Sequence, residues 1–177
     1  MKYLVLSDIH GSLYYAKRIP ELFSKEEVDK IILLGDLYYH GPRNSLPLEY
    51  NPMEVCKILN DMSDKIYAIK GNCDAEVDEM ISTFKFVNDL SLDICGKKFM
   101  FTHGHHININ NRSNNVDVLI YGHFHTGFIK EEDGMIFVNS GSLSLPKNNT
   151  ANSYLLIDDE FIYLKDIEGK LIEKKKY

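Results

Sequence analysis

Cysteines, long apolar runs and targeting segments are scarce in this sequence. The three cysteines, Cys56, Cys73 and Cys95, are widely spaced and form no CxxC pair. That spacing excludes a disulfide framework and a zinc site built from thiolates, and it favours a reducing, cytoplasmic location. No apolar run approaches the roughly 18 residues that cross a bilayer, and residues 3–6 are too few for a signal peptide. We therefore expect a cytoplasmic protein without a membrane partner.

A basic surface is also missing, which disfavours nucleic acid as a partner. The 20 basic and 26 acidic residues give a formal net charge of −6. The one basic cluster is three lysines at residues 174–176, which we interpret as a solvated tail. Because nucleic-acid binding usually requires a basic face, a small-molecule ligand is expected instead. With 177 residues and 44% hydrophobic content, the chain suits a single domain, residues 1–177, with a core that needs no disulfides.

The first 74 residues alternate between predicted strands and helices. Apolar runs at residues 2–6, 30–34 and 66–69 have the length of buried strands. Between them, Ser12 begins one helix, with apolar positions 13, 16, 19, 22 and 23 on one face, and Pro52 begins another that ends near residue 61. This order predicts a parallel sheet with its ligand-bearing loops at one edge. The intervening loop, residues 37–51, is long enough to suggest a function.

Strands dominate after a short predicted helix at residues 76–82. Strand-like runs follow at residues 89–94, 98–101, 118–120, 128–130, 135–138, 154–157, 161–165 and 171–173. Turn pairs such as Cys95-Gly96 and Asp133-Gly134 predict hairpins between neighbours. We expect a second, β-rich sheet packed on the first, and hence an α/β fold. The polar segment 108–115 is interpreted as a surface loop or a helix-capping region.

Polar side chains follow several of these strands. Asp36 comes after Gly35 at the end of an apolar run, but a lone Gly-Asp pair is more typical of a turn. Four other segments favour a functional role for Asp36 instead. In chain order, all but the third of them directly follow a strand-like run. They are Ser7-Asp8-Ile9-His10, Gly71-Asn72-Cys73-Asp74, Thr102-His103-Gly104-His105 and Gly122-His123-Phe124-His125.

These segments supply seven nitrogen and oxygen donors, namely Asp8, His10, Asp36, Asn72, His103, His123 and His125. A single divalent ion takes about four to six ligands, so the set fits two ions that share a bridging carboxylate, assigned to Asp36. The mixture of nitrogen and hard oxygen donors without sulfur favours manganese, iron, zinc or nickel over calcium, magnesium or copper(I). In extended backbone, residues i and i+2 point the same way, so each D-x-H or H-x-H pair would aim at one cavity. Glycines at positions 35, 71, 104 and 122 would let the backbone approach closely.

The chemistry of such a centre is hydrolytic. Two ions about 3.5 to 4 Å apart hold a water between them and lower its pKa toward neutrality, which yields hydroxide for attack on phosphorus. Two divalent cations, two Asp carboxylates and one hydroxide sum to about +1, so the pocket should attract an anion although the protein is acidic. Hydrolysis of a phosphate ester is the expected reaction.

The motifs resemble those of the calcineurin-like metallophosphoesterases: D-x-H, G-D, G-N-H-[DE], H and G-H-x-H. They are matched by Asp8-Ile9-His10, Gly35-Asp36, Gly71-Asn72-Cys73-Asp74, His103 and Gly122-His123-Phe124-His125. The Cys in G-N-C-D, residues 40–44 (HGPRN), residues 102–105 (THGH) and residues 139–142 (NSGS) make the chain similar to the YfcE-type bacterial phosphodiesterases.

This resemblance implies a four-layer α/β-β/α sandwich, phosphodiester hydrolysis and two divalent ions, with manganese the common activator. One ion would be held by Asp8, His10, Asp36 and His125, the other by Asp36, Asn72, His103 and His123. Small relatives often form homo-oligomers. Asp36, Asn72, Cys73 and His103 are the expected catalytic residues.

Cys73 departs from the family pattern, since larger relatives carry a His there that is thought to protonate the leaving group or contact the phosphate. A thiol beside a cationic centre should have a lowered pKa and be a poor proton donor, so esters with good leaving groups should be preferred. A buried structural Cys is the alternative.

Further candidates lie in the loops around the proposed centre. Arg43 is a candidate phosphate clamp or a surface ion-pair partner. His40 contacts substrate or orders its loop, and His105 is either a substrate contact or, like His106, an exposed loop residue. Asp74 orients a ligand or caps the following helix.

Two other functions share this pattern. A phosphomonoesterase or nucleotidase would use the same metal centre, usually with a better proton donor than Cys73. A non-catalytic scaffold, as in the retromer subunit with the same fold, predicts missing ligands, and none is missing here.

Overall fold

The computed structural model of the protein describes residues 1–113 and 115–177. The described helices are α1 (Leu13–Ala16), α2 (Arg18–Lys25), α3 (Pro52–Asn60) and α4 (Glu76–Ile81), with a 3-10 turn at Ser63–Lys65. The described strands are β1 (Tyr3–Leu6), β2 (Lys30–Leu33), β3 (Ile66–Ile69), β4 (Phe86–Val87), β5 (Asp89–Ile94), β6 (Lys97–Thr102), β7 (Val118–Tyr121), β8 (Phe128–Glu132), β9 (Met135–Asn139), β10 (Ser153–Ile157), β11 (Phe161–Asp166) and β12 (Leu171–Lys176).

The predicted helix from Ser12 to Phe23 is in fact two helices. It breaks at Lys17, which is the C-cap of α1 and the N-cap of α2. The reason is Pro20, because a proline inside a continuous helix removes a hydrogen bond and clashes with the carbonyl four residues earlier. Starting α2 at Arg18 places Pro20 in the first turn, where its missing N–H is not needed.

Sheet topology confirms one prediction and corrects another. In the first sheet the strand order is β12-β11-β10-β1-β2-β3-β4, and β1, β2 and β3 are parallel as predicted. The second half of the chain does not form a separate sheet, because β10 pairs antiparallel with β1 and carries β11 and β12 with it. The second sheet is therefore limited to β5-β6-β7-β9-β8.

Three apolar layers hold these elements together and confirm the α/β sandwich. Helices α1 to α3 cover the outer face of the first sheet, with Ile19, Leu33 and Val55 in that layer. The two sheets pack face to face through residues such as Val5 and Phe101. On the outer face of the second sheet, Leu119 and Tyr121 are covered by side chains from the segment between β6 and β7, among them Ile107 and Ile109. That segment contains the polar stretch 108–115, of which Asn114 lies outside the described residues.

The carboxyl ends of six strands lie together at one edge of the two sheets. β1, β2 and β3 are mutually parallel, and so are β6, β7 and β9 in the second sheet. The loops that leave β1, β2, β3, β6 and β7 contain the predicted donors, and the loop after β9 begins with the NSGS motif. His103 directly follows β6, which ends at Thr102, so the third motif follows a strand after all.

None of the helices described here combines the length and the apolar character that a membrane span requires.

Candidate metal centre

Two groups of donors converge at this edge. In the first, which we call the Asp8 cluster, Asp8 Oδ1 lies 3.2 Å from His125 Nε2 and 3.6 Å from His10 Nε2. The two imidazole Nε2 atoms are themselves 3.2 Å apart. All three side chains are buried. A loop after β1 and a loop after β7 thus meet across 115 residues of sequence.

The second group, the His103 cluster, consists of Asp36, Asn72, His103 and His123. His103 Nε2 is its centre, 2.9 Å from Asn72 Oδ1, 3.2 Å from His123 Nδ1 and 3.5 Å from Asp36 Oδ1. The other Asp36 oxygen, Oδ2, lies 3.7 Å from His10 Nε2 in the Asp8 cluster. Asp36 therefore presents one carboxylate oxygen to each group.

Hydrogen bonds on the far side of the rings decide which nitrogens face inward. His10, His103 and His125 each place Nδ1 within 2.8 Å or less of a backbone carbonyl, so in the neutral imidazole, the form that ligates a metal, Nδ1 carries the proton and Nε2 carries a lone pair. The accepting carbonyls are those of Tyr39, Leu34 and Leu145, respectively. Two inward lone pairs 3.2 Å apart, His10 Nε2 and His125 Nε2, repel each other unless a cation lies between them.

The carboxylate of Asp8 also indicates a bound cation. Its Oδ2 accepts hydrogen bonds from Ser7 Oγ and the backbone N–H of His123, at 2.6 and 2.9 Å. Its Oδ1 is buried and has no hydrogen-bond partner among the described residues. Because a buried acceptor without a partner is costly, this oxygen fits a ligand atom for a cation.

Charge at the site also favours a cation. Burial opposes ionisation of Asp8, but its contacts with His10 and His125 hold its pKa well below the usual range. For His103, burial alone would lower the pKa, yet the neighbouring Asp36 and Asp8 carboxylates raise it to about 9. Both shifts show that these two carboxylates attract positive charge to this point.

The backbone at the donors differs from the extended geometry predicted. Asp8, His10, Asp36, His123 and His125 have φ between 51° and 64°, the left-handed region. Each such non-glycine residue costs on the order of 1–3 kcal/mol and persists only where surrounding contacts hold it. The D-x-H and H-x-H pairs therefore converge through two left-handed residues each, and the expected i, i+2 alternation of a strand is wrong here.

Glycine is needed beside these donors for lack of space. A Cβ on Gly71 would lie 2.2 Å from Asp36 Oδ1, and one on Gly122 would lie 1.9 Å from Ser7 Oγ. Both distances are far inside van der Waals contact, so any larger residue would displace a donor or its support. The predicted close approach of the backbone is confirmed at both positions.

Comparison with known proteins identifies the family. The model of the calcineurin-like phosphoesterase superfamily domain matches residues 1–160. The chain belongs to the calcineurin-like phosphoesterase superfamily. It is 38% identical to phosphodiesterase YfcE of Escherichia coli over 165 residues, which are 92% of this chain and 90% of that one. It is 29% identical to phosphodiesterase MJ0936 of Methanocaldococcus jannaschii, covering 80% and 83% of the two chains.

Solved structures agree with this superfamily assignment. The structure of YfcE from E. coli superposes with a TM-score of 0.96 at 33% identity, covering 99% of both chains. Vps29 of Entamoeba histolytica, solved in complex with zinc, has a TM-score of 0.64 at 24% identity, covering 99% of both chains, a likeness of fold alone. Calcineurin-like metallophosphoesterases use divalent metals, and the chain has residues that could hold them.

A cleft of about 860 Å³ opens onto the donors of this phosphoesterase. Arg43 and Cys73 line it, as do three residues that were not predicted as site residues: Asn44, Phe124 and Lys147. No sequence signal marks Lys147, which is placed by its own backbone N–H donating to the carbonyl of His125 at 2.8 Å. Tyr39 also lines the cleft, whereas its neighbour Tyr38 is buried in the core.

Two predicted substrate contacts lie elsewhere. His40 packs edge-on against Tyr39 and Tyr50, and it is not among the residues that line the cleft. His105 is exposed, with its ring 5.3 Å from that of His103 and 4.0 Å from that of His106, at a second, smaller opening behind Asn72. Contact of either residue with substrate stays a prediction.

Cys73 lies in the cleft with a weakly acidic thiol. Its backbone N–H donates to Asp36 Oδ1 at 2.8 Å. Burial, reinforced by the Asp36 carboxylate, raises the pKa of the thiol to about 12. This direction is opposite to the one expected from the sequence, where only a cationic neighbour was considered. Cationic charge at the site would oppose this rise in the pKa of the Cys73 thiol.

Asp74 connects the Asp36 loop to the Gly71 loop. Its Oδ2 accepts from the backbone N–H groups of Asp36 and Gly71 at 2.8 and 2.7 Å, and its Oδ1 accepts from Leu37 N–H at 2.8 Å. Burial raises the pKa of Asp74 to about 6 although these N–H groups oppose the rise. The N-cap of α4 is Ala75, so Asp74 holds the backbone of Asp36 and does not cap the helix.

Replacing Asp74 by Asn should loosen this connection. An amide keeps the shape but turns one acceptor into a donor that faces a backbone N–H. We expect a loss of about 1–3 kcal/mol in the free energy of unfolding of the metal-free protein, and metal affinity about 10- to 100-fold weaker. Urea denaturation and Mn²⁺ titration measure the two effects. Asp61→Asn, at an exposed position, is the control; equal affinities in the two variants would contradict the assigned role.

Proposed function

We propose that residues 1–177 form one domain that hydrolyses phosphodiesters with two divalent ions. Asp8, His10 and His125 would hold one ion, while Asn72, His103 and His123 would hold the other, with Asp36 shared. The observation that carries this proposal is the pair of inward imidazole lone pairs 3.2 Å apart beside the unpartnered Asp8 oxygen. Its support from relatives is the similarity to two proteins named as phosphodiesterases, YfcE and MJ0936.

The ligand types fit manganese, iron, zinc and nickel alike. Manganese is proposed because the resemblance to the family implies it. When bound, two such ions bring a water to a reactive state at neutral pH and neutralise charge on phosphate oxygens. The protein's own residues fix the donors: carbonyls orient three imidazoles, and Asp74 holds the loop of Asp36. The cleft beside the donors admits a small diester.

A direct test uses metal-free protein. Mn²⁺, Fe²⁺, Zn²⁺ and Ni²⁺ are added back separately, and hydrolysis of bis-p-nitrophenyl phosphate is compared with that of p-nitrophenyl phosphate. We expect no turnover without metal, activity restored best by Mn²⁺, and a preference for the diester. A preference for the monoester would favour the phosphomonoesterase alternative. No hydrolysis of either ester with any metal would favour a scaffold role.

Two cations in the cleft are expected to bind the substrate anion. Arg43 and Lys147 line it, and neither forms an ion pair with a described carboxylate. Asp36 is the one carboxylate residue among the described lining residues, so a substrate anion there meets two uncompensated positive charges.

Neutralising either cation should therefore weaken binding more than chemistry. We expect Arg43→Met and Lys147→Met each to raise KM for an anionic diester about tenfold, which corresponds to about 1.4 kcal/mol, with kcat changed much less. Steady-state kinetics at low ionic strength measure KM and kcat separately. Lys85→Met, exposed and outside the cleft, should change neither constant. A fall in kcat at unchanged KM would place these cations at the reacting atoms instead.

A further inference from the structure

The loop after β9, residues 139–147, supplies none of the seven donors but contacts the loops that do. Asn139 Nδ2 donates to the carbonyl of Gly122 at 2.6 Å, directly before His123. The N–H of Leu143 donates to the carbonyl of Ser7 at 3.0 Å, directly before Asp8. This loop, which contains the NSGS motif, therefore joins the loop after β1 to the loop after β7, the two sources of the Asp8 cluster.

Ser142 is the centre of these contacts. Its Oγ donates to the backbone carbonyl of Asp8 at 2.7 Å and accepts from the N–H of Leu145 at 2.9 Å and of Ser144 at 3.2 Å. The carbonyl of Leu145 in turn accepts from His125 Nδ1 at 2.6 Å. One buried hydroxyl thus links the backbone of Asp8 to the group that orients His125.

The backbone of Asp8 needs such support. Its φ of 54° is a left-handed conformation that residues other than glycine rarely adopt, and it persists only where surrounding contacts hold it. Ser144 Oγ donates to the same Asp8 carbonyl at 3.0 Å, so two hydroxyls fix one carbonyl oxygen. No hydrogen bond from the Ser142 or Ser144 side chain to Asp36, Asn72 or His103 is found among the described residues.

We propose that Ser142 is a positioning residue that sets the affinity of the Asp8 cluster for its metal ion and reaches the His103 cluster only indirectly, through the hydrogen bond from the His123 N–H to Asp8 Oδ2. The inference rests on the proposed two-ion centre. It adds that the two ions depend on different supporting residues. Ser142 acts on two of the three donors of the Asp8 cluster, through the backbone of Asp8 and through the orientation of the His125 ring. Loss of its hydroxyl should therefore weaken one ion of the pair selectively.

The test measures Mn²⁺ binding to metal-free Ser142→Ala by equilibrium dialysis and electron paramagnetic resonance. We expect one ion to bind as in the wild type and the other about 10- to 100-fold more weakly. At Mn²⁺ concentrations that fill both wild-type sites, the spectrum of the variant should lose its spin-coupled signal and show isolated Mn²⁺. Ser144→Ala, which loses one of the two bonds to the Asp8 carbonyl, should show a smaller loss at the same ion. Ser140→Ala is the matched control, because its buried hydroxyl reaches only the carbonyl of Gly141.

Thermal denaturation of the metal-free variants separates positioning from general destabilisation. Equal weakening of both ions in Ser142→Ala, or unchanged affinities, would overturn the proposal. If Ser142→Ala does not fold, Ser144→Ala decides by the same comparison with Ser140→Ala. A wild-type protein that binds fewer than two Mn²⁺ ions would instead refute the two-ion centre itself, a result that is visible before any variant is made.

Discussion

Asp36→Asn should reduce phosphodiester turnover by at least about 10³-fold while leaving the fold intact. The Asp36 carboxylate faces both donor groups, with Oδ1 3.5 Å from His103 Nε2 and Oδ2 3.7 Å from His10 Nε2. An amide at this position removes the shared negative charge and turns an N–H₂ group toward one of the two ions. Neither ion can then be held as in the wild type.

Asparagine isolates the effect of charge from that of the backbone. Asp36 has a φ of 56°, and Asn tolerates this left-handed conformation well. We therefore expect the circular dichroism and thermal denaturation of metal-free Asp36→Asn to stay close to those of the wild type, while Mn²⁺ binding falls to one ion or none. Asp133→Asn is the matched control, since Asp133 has a φ of 54° in an exposed turn. Full turnover in Asp36→Asn would refute the bridging role.

The side chains that the sequence singled out do come together in the fold, because their signals are local. Each motif follows a strand, and three of the strands were bounded to within a residue or two by short apolar runs, as at Ile66–Ile69. Glycines before or between the donors marked the close approaches that the structure has at Gly71 and Gly122. The hairpin turns were equally local, as Cys95-Gly96 and Asp133-Gly134 show.

What could not be predicted depends on contacts between distant segments. Strand β10 pairs with β11 and with β1, and not with the preceding strand β9, and no local pattern distinguishes β1 from β9 as the partner. The left-handed backbone of Asp8 is held by Ser142 and Ser144, more than 130 residues away. The break between α1 and α2 has a local cause, because Pro20 cannot occupy the interior of a continuous helix.

The position of Lys147 in the cleft also could not be predicted from the sequence. It belongs to no motif, and its place beside the donors follows from a backbone hydrogen bond to His125. Arg43, by contrast, could be proposed from the sequence because it lies in the long loop that follows the bridging Asp. Loop residues are positioned by the scaffold and not by their own pattern, so substrate contacts are the least predictable part of this site.

Turnover of the wild type should depend steeply on the leaving group, because Cys73 is a poor proton donor. A thiol whose pKa burial raises to about 12 gives up its proton reluctantly, and one whose pKa nearby cations lower is deprotonated before it can act. In neither case does it match an imidazolium. Diesters with acidic leaving groups such as p-nitrophenol need no such help, whereas alkyl alcohols do.

A series of methyl phosphate diesters with leaving groups of graded pKa measures this dependence. General acid catalysis contributes about 10²- to 10⁴-fold, so Cys73→His should accelerate alkyl diesters by up to about 10²-fold, leave p-nitrophenyl diesters nearly unchanged, and thereby flatten the slope. Cys95→His, at an exposed turn outside the cleft, controls for the added imidazole. A flat dependence in the wild type would mean that another group already protonates the leaving oxygen, and His105, whose ring lies 6.1 Å from that of His123, would then be the first residue to replace.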